Sequence, residues 1–232
     1  MSLTAALAEA ILYGQPDAPA HEHAREGIRD FLAVSWPVLQ GTVPDSGLPA
    51  LRTLHSDGRV RSQALLLGYA GHPLDYDDFH ADFLGHPTRV TLPALFAWQR
   101  VQPRSLEHFL DAYVTGVEMA GRLGLAVSQQ HYALGYHNTA TLGTLAAAAA
   151  LARLLEMKSD ATATLLGIAA TPASGLRPPF GSAVKPLHAG FAAERALTAP
   201  HPTLARLAGR PPGVPQALVS PPSARPPRPP HL

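Results

Sequence analysis

The stretch Thr139-Ala-Thr-Leu-Gly-Thr-Leu-Ala-Ala-Ala-Ala-Ala-Leu-Ala152 decides the fold class. It is apolar, rich in the strongest helix former, and free of proline. Its run of small residues, Ala146 to Ala150, also suits a helix whose neighbours approach closely in a core, although helix propensity alone accounts for the composition equally well. The run stops at Arg153, short of the roughly 20 apolar residues that a membrane-spanning helix requires.

Helical spacing of apolar residues recurs outward from this segment. Leu3 to Leu12, His21 to Val34, Leu92 to Arg100, Ser105 to Gln129, Thr139 to Met157 and Ala161 to Ala170 are predicted helices, with Ser105 and Asp160 as N-caps. Arg59-Val-Arg-Ser-Gln-Ala64 is the one segment with strand-like alternation, and it is brief. The expected fold is therefore mostly α, one all-helical domain over residues 1–197.

After Ala193 the composition changes. Residues 198–232 contain no Asp or Glu and 11 prolines, ending in Arg225-Pro-Pro-Arg-Pro-Pro230. Each proline removes a backbone donor and fixes φ, so this segment is expected to be a disordered or polyproline-like tail; a ligand for a proline-recognising domain is a further reading.

Composition excludes several functions. The 232 residues carry a net charge of +1, with no basic stripe interleaved with aromatics, so neither nucleic acid nor an acidic membrane is an indicated partner. The absence of cysteine removes disulfides, Cys-ligated zinc and Cys-ligated iron–sulfur clusters. Met1-Ser-Leu-Thr-Ala-Ala-Leu-Ala-Glu9 lacks the charged and apolar regions of a signal peptide, and a cytoplasmic location is expected.

Chemistry concentrates in Leu74-Asp-Tyr-Asp-Asp-Phe-His80 and His86-Pro-Thr88. Residues 74 to 86 hold Asp75, Asp77, Asp78, Asp82, His80 and His86, a density of ionisable groups that suits a site better than a core. Three readings stand side by side. The aspartates can cap a helix, the group can ligate a metal through Asp75, Asp77, Asp78, His80, Asp82 and His86, or it can be a reaction site. No His-Glu-x-x-His, calcium-loop or paired-cysteine pattern is present to favour the metal.

Four separated motifs, Leu74-Asp-Tyr-Asp-Asp78, Gly85-His-Pro-Thr88, Ala133 to Thr144 with its Gly135-Tyr-His137, and Ser174 to Gly190 with its Lys185-Pro-Leu-His-Ala-Gly190, resemble in order those of the MmgE/PrpD family. That family includes 2-methylcitrate dehydratases, cis-aconitate decarboxylases and iminodisuccinate epimerases. The likeness runs from about Ala24 to about Ala193 and covers the N-terminal part of a member. It implies a helical domain, a small di- or tricarboxylate as substrate, acid/base catalysis without metal or organic cofactor, and homodimerisation. It also implies four catalytic positions, Asp75, His86, His137 and Lys185, converging on one concave surface.

In that scheme His137 or Asp75 is the base, His86 an acid or carboxylate clamp, and Lys185 a cation that stabilises developing negative charge. Asp78, Arg177 and His188 are candidate substrate-binding groups. Each has a bland alternative: Asp77 and Asp78 can cap a helix or orient His86, His188 and His131 can be structural, Arg177 a solvated surface residue, and Lys185 an exposed loop residue. Many members have Thr where this chain has Phe79, which removes one hydroxyl and leaves substrate choice open. Members continue into more helix and a second α+β domain that supplies a further Lys and Tyr, which this sequence replaces with its Pro-rich end. Two expectations follow: a lyase or isomerase of the family, here truncated and of reduced or no activity alone, or a non-catalytic helical remnant or dimerisation fragment.

Overall fold

The computed structural model describes residues 3–178 and 180–200. Among them are α1 (Leu3–Tyr13), α2 (Ala18–Gln40), α3 (Leu48–Leu54), α4 (Val60–Ala70), α5 (Thr88–Gln99), α6 (Leu106–Ala133), α7 (Asn138–Leu154), α8 (Ser159–Ala170) and α9 (Val184–Thr198). No strand occurs among the described residues, only the isolated bridges His80–Gly85 and Tyr136–Leu176. The all-helical expectation holds there.

The alanine-rich segment is the centre. Every residue of α7 from Asn138 to Ala152 is buried, and the helix packs against α1, α5, α6, α8 and α9. A helix apolar on all sides belongs in a core, not at its edge. Its small side chains are what let so many neighbours in: a Cβ added at Gly116 of α6 would stand 3.0 Å from the Ala150 Cβ, and one at Gly143 would stand 3.1 Å from Val90 of α5. Leu142, Leu145 and Leu151 fill what space remains, each contributing roughly 1.5–3 kcal/mol by burial.

Several boundaries follow from capping. Ser105 caps α6, accepting from the His108 amide at 3.3 Å as expected, and Asp17 caps α2 by accepting from Ala20. The cap expected at Asp160 is instead Lys158; Asp160 lies in the first turn of α8, a position where a negative charge favours the helix dipole. α2 runs past Val34 through Pro37 to a left-handed Gly41 at φ 71°.

The segment with brief strand-like alternation, Arg59 to Ala64, is helical from Val60 onward. It opens α4, whose buried residues Ser62, Ala64, Leu65, Gly68 and Tyr69 form a stripe at helical spacing. The short alternation ends before that stripe is complete, so local pattern pointed to the wrong period.

α4 and α9 cross in backbone contact. A Cβ on Gly68 would meet the Gly190 Cα at 2.9 Å, and a Cβ on Gly190 would meet the Leu65 carbonyl oxygen at 2.5 Å. This crossing sets the end of α4 beside the start of α9. No helix among the described residues is long and apolar enough to cross a membrane. α9 ends at Thr198, and the tail expected from there lies, from residue 201 onward, outside the described residues.

Candidate functional site

The segment 71–87 is a loop between α4 and α5, held down by α7 and α6. The Asn138 amide donates to the Phe83 carbonyl at 2.7 Å, and the His86 amide donates to Thr139 Oγ1 at 3.1 Å, tying the loop to the N-terminus of α7. Gly121 and Gly124 of α6 let the loop lie flat, since a Cβ at Gly124 would stand 2.2 Å from the Asp82 carbonyl oxygen. Asp75 adopts φ 57°, a left-handed conformation that a non-glycine residue holds only when its surroundings enforce it.

A buried carboxylate organises the interior of this loop. Asp77 Oδ2 lies 2.7 Å from His72 Nδ1 and 3.0 Å from His86 Nδ1, with all three side chains largely or wholly shielded from solvent. The Arg89 guanidinium, from the first turns of α5, sits 3.2 Å away through Nε, close enough for an ion pair though not aligned for a hydrogen bond. Arg89 also ion-pairs with Asp30 of α2 and stacks over Phe31. Burial raises the Asp77 carboxyl pKa, but the hydrogen bonds and charges of His72 and His86 outweigh it and hold the group well below the carboxylate range.

The imidazoles differ in consequence. Burial would lower His86, yet Asp77 reverses the direction and raises it. His72 is lowered, because burial outweighs the same carboxylate. His137 caps α7 and is pushed down to about 2, chiefly by burial, then by the neighbouring cationic and imidazole groups. At neutral pH His137 is uncharged. It cannot serve as an imidazolium acid, but it can donate or accept a hydrogen bond.

The four predicted catalytic residues gather around His72, a residue that sequence reasoning missed. The His72 ring lies 4.7 Å from that of His86 and stacks at 6.0 Å on that of His137. Lys185, in the first turn of α9, ion-pairs with Asp75. Phe180 bridges the two sides, its ring edge-on to His137 at 4.8 Å and 5.4 Å from Lys185 Nζ. A cleft of about 280 Å³ is lined by Asp45, His72, Asp75, Ser182 and Lys185 among others. A signal for His72 did exist: it stands three residues before Asp75, between the apolar run of α4 and the motif that begins at Leu74.

The predicted substrate-binding groups separate. His188 joins the cluster, its Nδ1 3.1 Å from His137 Nδ1, so that one ring donates and the other accepts. Asp78 turns inward, accepting from Thr88 Oγ1 at 2.6 Å and facing Arg89; burial raises its pKa despite those partners. Arg177 stacks 4.0 Å over Tyr132 and donates its backbone amide to Gly135, which anchors the 174–178 segment to the end of α6. Phe79 is exposed and stands edge-on to His86 at 5.8 Å.

A metal has one geometrically possible seat among the described residues, the group His72, Asp77 and His86, whose ligand atoms lie within 4.8 Å of one another. The donor set argues against it. His86 Nδ1 also faces the Asp78 carbonyl oxygen at 2.7 Å, an acceptor only, so this nitrogen carries a hydrogen rather than a free lone pair. With Arg89 beside Asp77, the group works as a hydrogen-bonded hub.

A larger groove, about 510 Å³, runs between α1, α2 and α6. It is lined mainly by Leu7, Ala10, Ile11, Val114 and Met119, and its charged pair Glu118–Arg122 is satisfied internally. This groove is the larger of the two, but its lining holds no histidine or lysine, whereas the smaller cleft has His72 and Lys185.

The fold and cleft thus define an all-α domain whose cleft is lined by the imidazole of His72, the carboxylate of Asp75 and the ammonium of Lys185. The chain belongs to the MmgE/PrpD family: residues 5–211 match the MmgE/PrpD N-terminal domain, a span longer at both ends than the motifs alone indicated. It is 34% identical over 146 residues to a cis-aconitate decarboxylase-like protein of Aspergillus oryzae, covering 59% of this chain and 30% of that protein. It is 33% identical over 130 residues to a cis-aconitate decarboxylase of Aspergillus terreus, covering 53% of this chain and 26% of that one. The chain therefore matches under a third of the length of these relatives.

Proposed function

We propose that this domain carries the substrate-binding half of a lyase acting on a small di- or tricarboxylate, by acid/base chemistry in the cleft between the 71–87 loop and the start of α9. The observation that carries this reading is the Lys185–Asp75 pair in a cleft that His72 also lines. Lys185 is a single ammonium whose partner, Asp75, is largely exposed and can be exchanged for a substrate carboxylate.

The chemistry is consistent with both family-type reactions. Removing a proton beside a carboxylate and expelling hydroxide, or releasing CO₂ from a neighbouring carbon, builds negative charge on the substrate. Lys185 compensates that charge electrostatically, and His137, neutral at working pH, offers a hydrogen bond to it without a charge of its own. His86, raised by Asp77, is the better proton donor of the set. The relatives named above are cis-aconitate decarboxylases or like them, which favours release of CO₂ over loss of water, and the reaction itself is part of the proposal.

Calorimetric titration with tricarballylate, an unreactive tricarboxylate, tests the reading. Binding that drops at least tenfold in Lys185→Ala is expected. Binding indifferent to Lys185 would overturn it.

A further inference from the structure

We propose that His72 is a substrate-binding residue that reads a hydroxyl group on the bound acid, and so selects hydroxy-polycarboxylates over their deoxy counterparts. The inference rests on the polycarboxylate reading above and deepens it to one functional group.

The assignment follows from the two ring nitrogens. His72 Nδ1 lies 2.7 Å from an ionised Asp77, a carboxylate that only accepts, so Nδ1 carries the ring hydrogen. Nε2 is left with a lone pair. It is buried and has no hydrogen-bond partner among the described residues. An acceptor stranded in this way loses its hydrogen bond to water without gaining another. An apolar ring of the same size would avoid that cost, because Asp77 keeps His86 and Arg89.

The ring also lines the cleft with Asp75 and Lys185, and the imidazoles of His86 and His137 lie next to it. Nε2 therefore awaits a hydrogen-bond donor arriving in that cleft. The carboxylates of a small acid are ionised at neutral pH and donate nothing, and they are provided for by Lys185. The remaining donor on such an acid is an alcohol. A site whose buried acceptor is satisfied only by a substrate hydroxyl discriminates against the analogue that lacks it, because binding the analogue leaves the acceptor unpaired.

Citrate and tricarballylate differ by that one hydroxyl, and their affinities measured by calorimetry on the full chain form the test. Citrate is expected to bind on the order of tenfold more tightly. His72→Phe should bring the two acids to equal affinity while tricarballylate binding remains dependent on Lys185. His72→Asn, which can keep a donor toward Asp77 at the Nδ1 position but has nothing at the Nε2 position, should do the same, and it serves if the Phe variant fails to fold. Equal affinities in the unmodified chain, or a citrate preference that survives in either folded variant, would overturn the role of His72 and leave the polycarboxylate reading standing. Failure of both acids to bind through Lys185 would overturn both.

Discussion

Lys185 reaches from the first turn of α9 to ion-pair with Asp75, a residue held at φ 57° in the loop that follows α4. The lysine side chain is largely shielded and the aspartate largely exposed, so the pair is a buried-side cation closed by a removable lid of charge. An incoming carboxylate competes with Asp75 for the same ammonium. Asp75→Asn is therefore expected to strengthen tricarballylate binding a few-fold, and calorimetry on the variant checks it. Weaker binding would mean that Asp75 contacts the ligand favourably instead of competing with it.

The buried neutral imidazoles set an acid limit. The folded pKa of His137 is pushed down to about 2, whereas in the unfolded chain it returns to about 6.5. A base with a depressed folded pKa stabilises the fold above its unfolded value and loses that contribution as pH falls below it. Stability should therefore decline from about pH 6.5 downward, by up to about 1.4 kcal/mol per pH unit for this group alone. His86 works in the opposite sense: its raised pKa favours the folded state below about pH 6.5, an advantage lost as pH rises through the folded value. Urea denaturation of His137→Gln between pH 7 and pH 4 should show a shallower decline than the unmodified chain. An identical slope would mean that His137 is not the group responsible.

Asp77 ties His72, His86 and Arg89 together with no solvent to replace it. Asp77→Asn keeps the shape but removes the charge that balances Arg89, and breaking a buried pair in this way costs about 3–5 kcal/mol. A fall of that order in unfolding free energy is expected. Because the same carboxylate raises His86, the His86 titration followed by NMR should move to lower pH in this variant if it folds.

The α4–α9 crossing carries the geometry of the cleft. Gly190→Ala places a methyl group 2.5 Å from the Leu65 carbonyl oxygen, which cannot yield without separating the helices. Overpacking of this kind costs typically about 1–3 kcal/mol. It should also weaken Lys185-dependent binding, since the crossing aligns Lys185 with His72. A stability loss with unchanged affinity would show that the cleft tolerates the shift.

What the sequence made legible, and what it did not, follows from the range of each interaction. α7 could be read because its burial is uniform, and Ser105 could be read because a cap is a local hydrogen bond. α4 was obscured because a brief alternation at Arg59 to Ala64 precedes its apolar stripe, and α9 because Pro186 stands in its first turn, where proline is in fact tolerated. The motifs identified Asp75, His86, His137 and Lys185 as candidates for one surface, and the helices bring them around a single ring. They did not identify that ring. His72 gains its environment from Asp77 in its own loop, from His137 on α7 and from Lys185 on α9, and these contacts come from distant parts of the chain. Asp78 and Arg177 went the other way. Each sits in a motif but spends its side chain on a neighbour, Thr88 and Tyr132 respectively.

The central claim is that the cleft of His72, Asp75 and Lys185 receives the carboxylates of a small acid. Crystals of the chain grown with tricarballylate test it most directly. The account predicts the acid in that cleft, with one carboxylate within hydrogen-bond distance of Lys185 Nζ and Asp75 displaced from it. Tricarballylate bound instead in the groove between α1, α2 and α6, or a cleft left empty at saturating ligand with the Lys185–Asp75 pair intact, would contradict it.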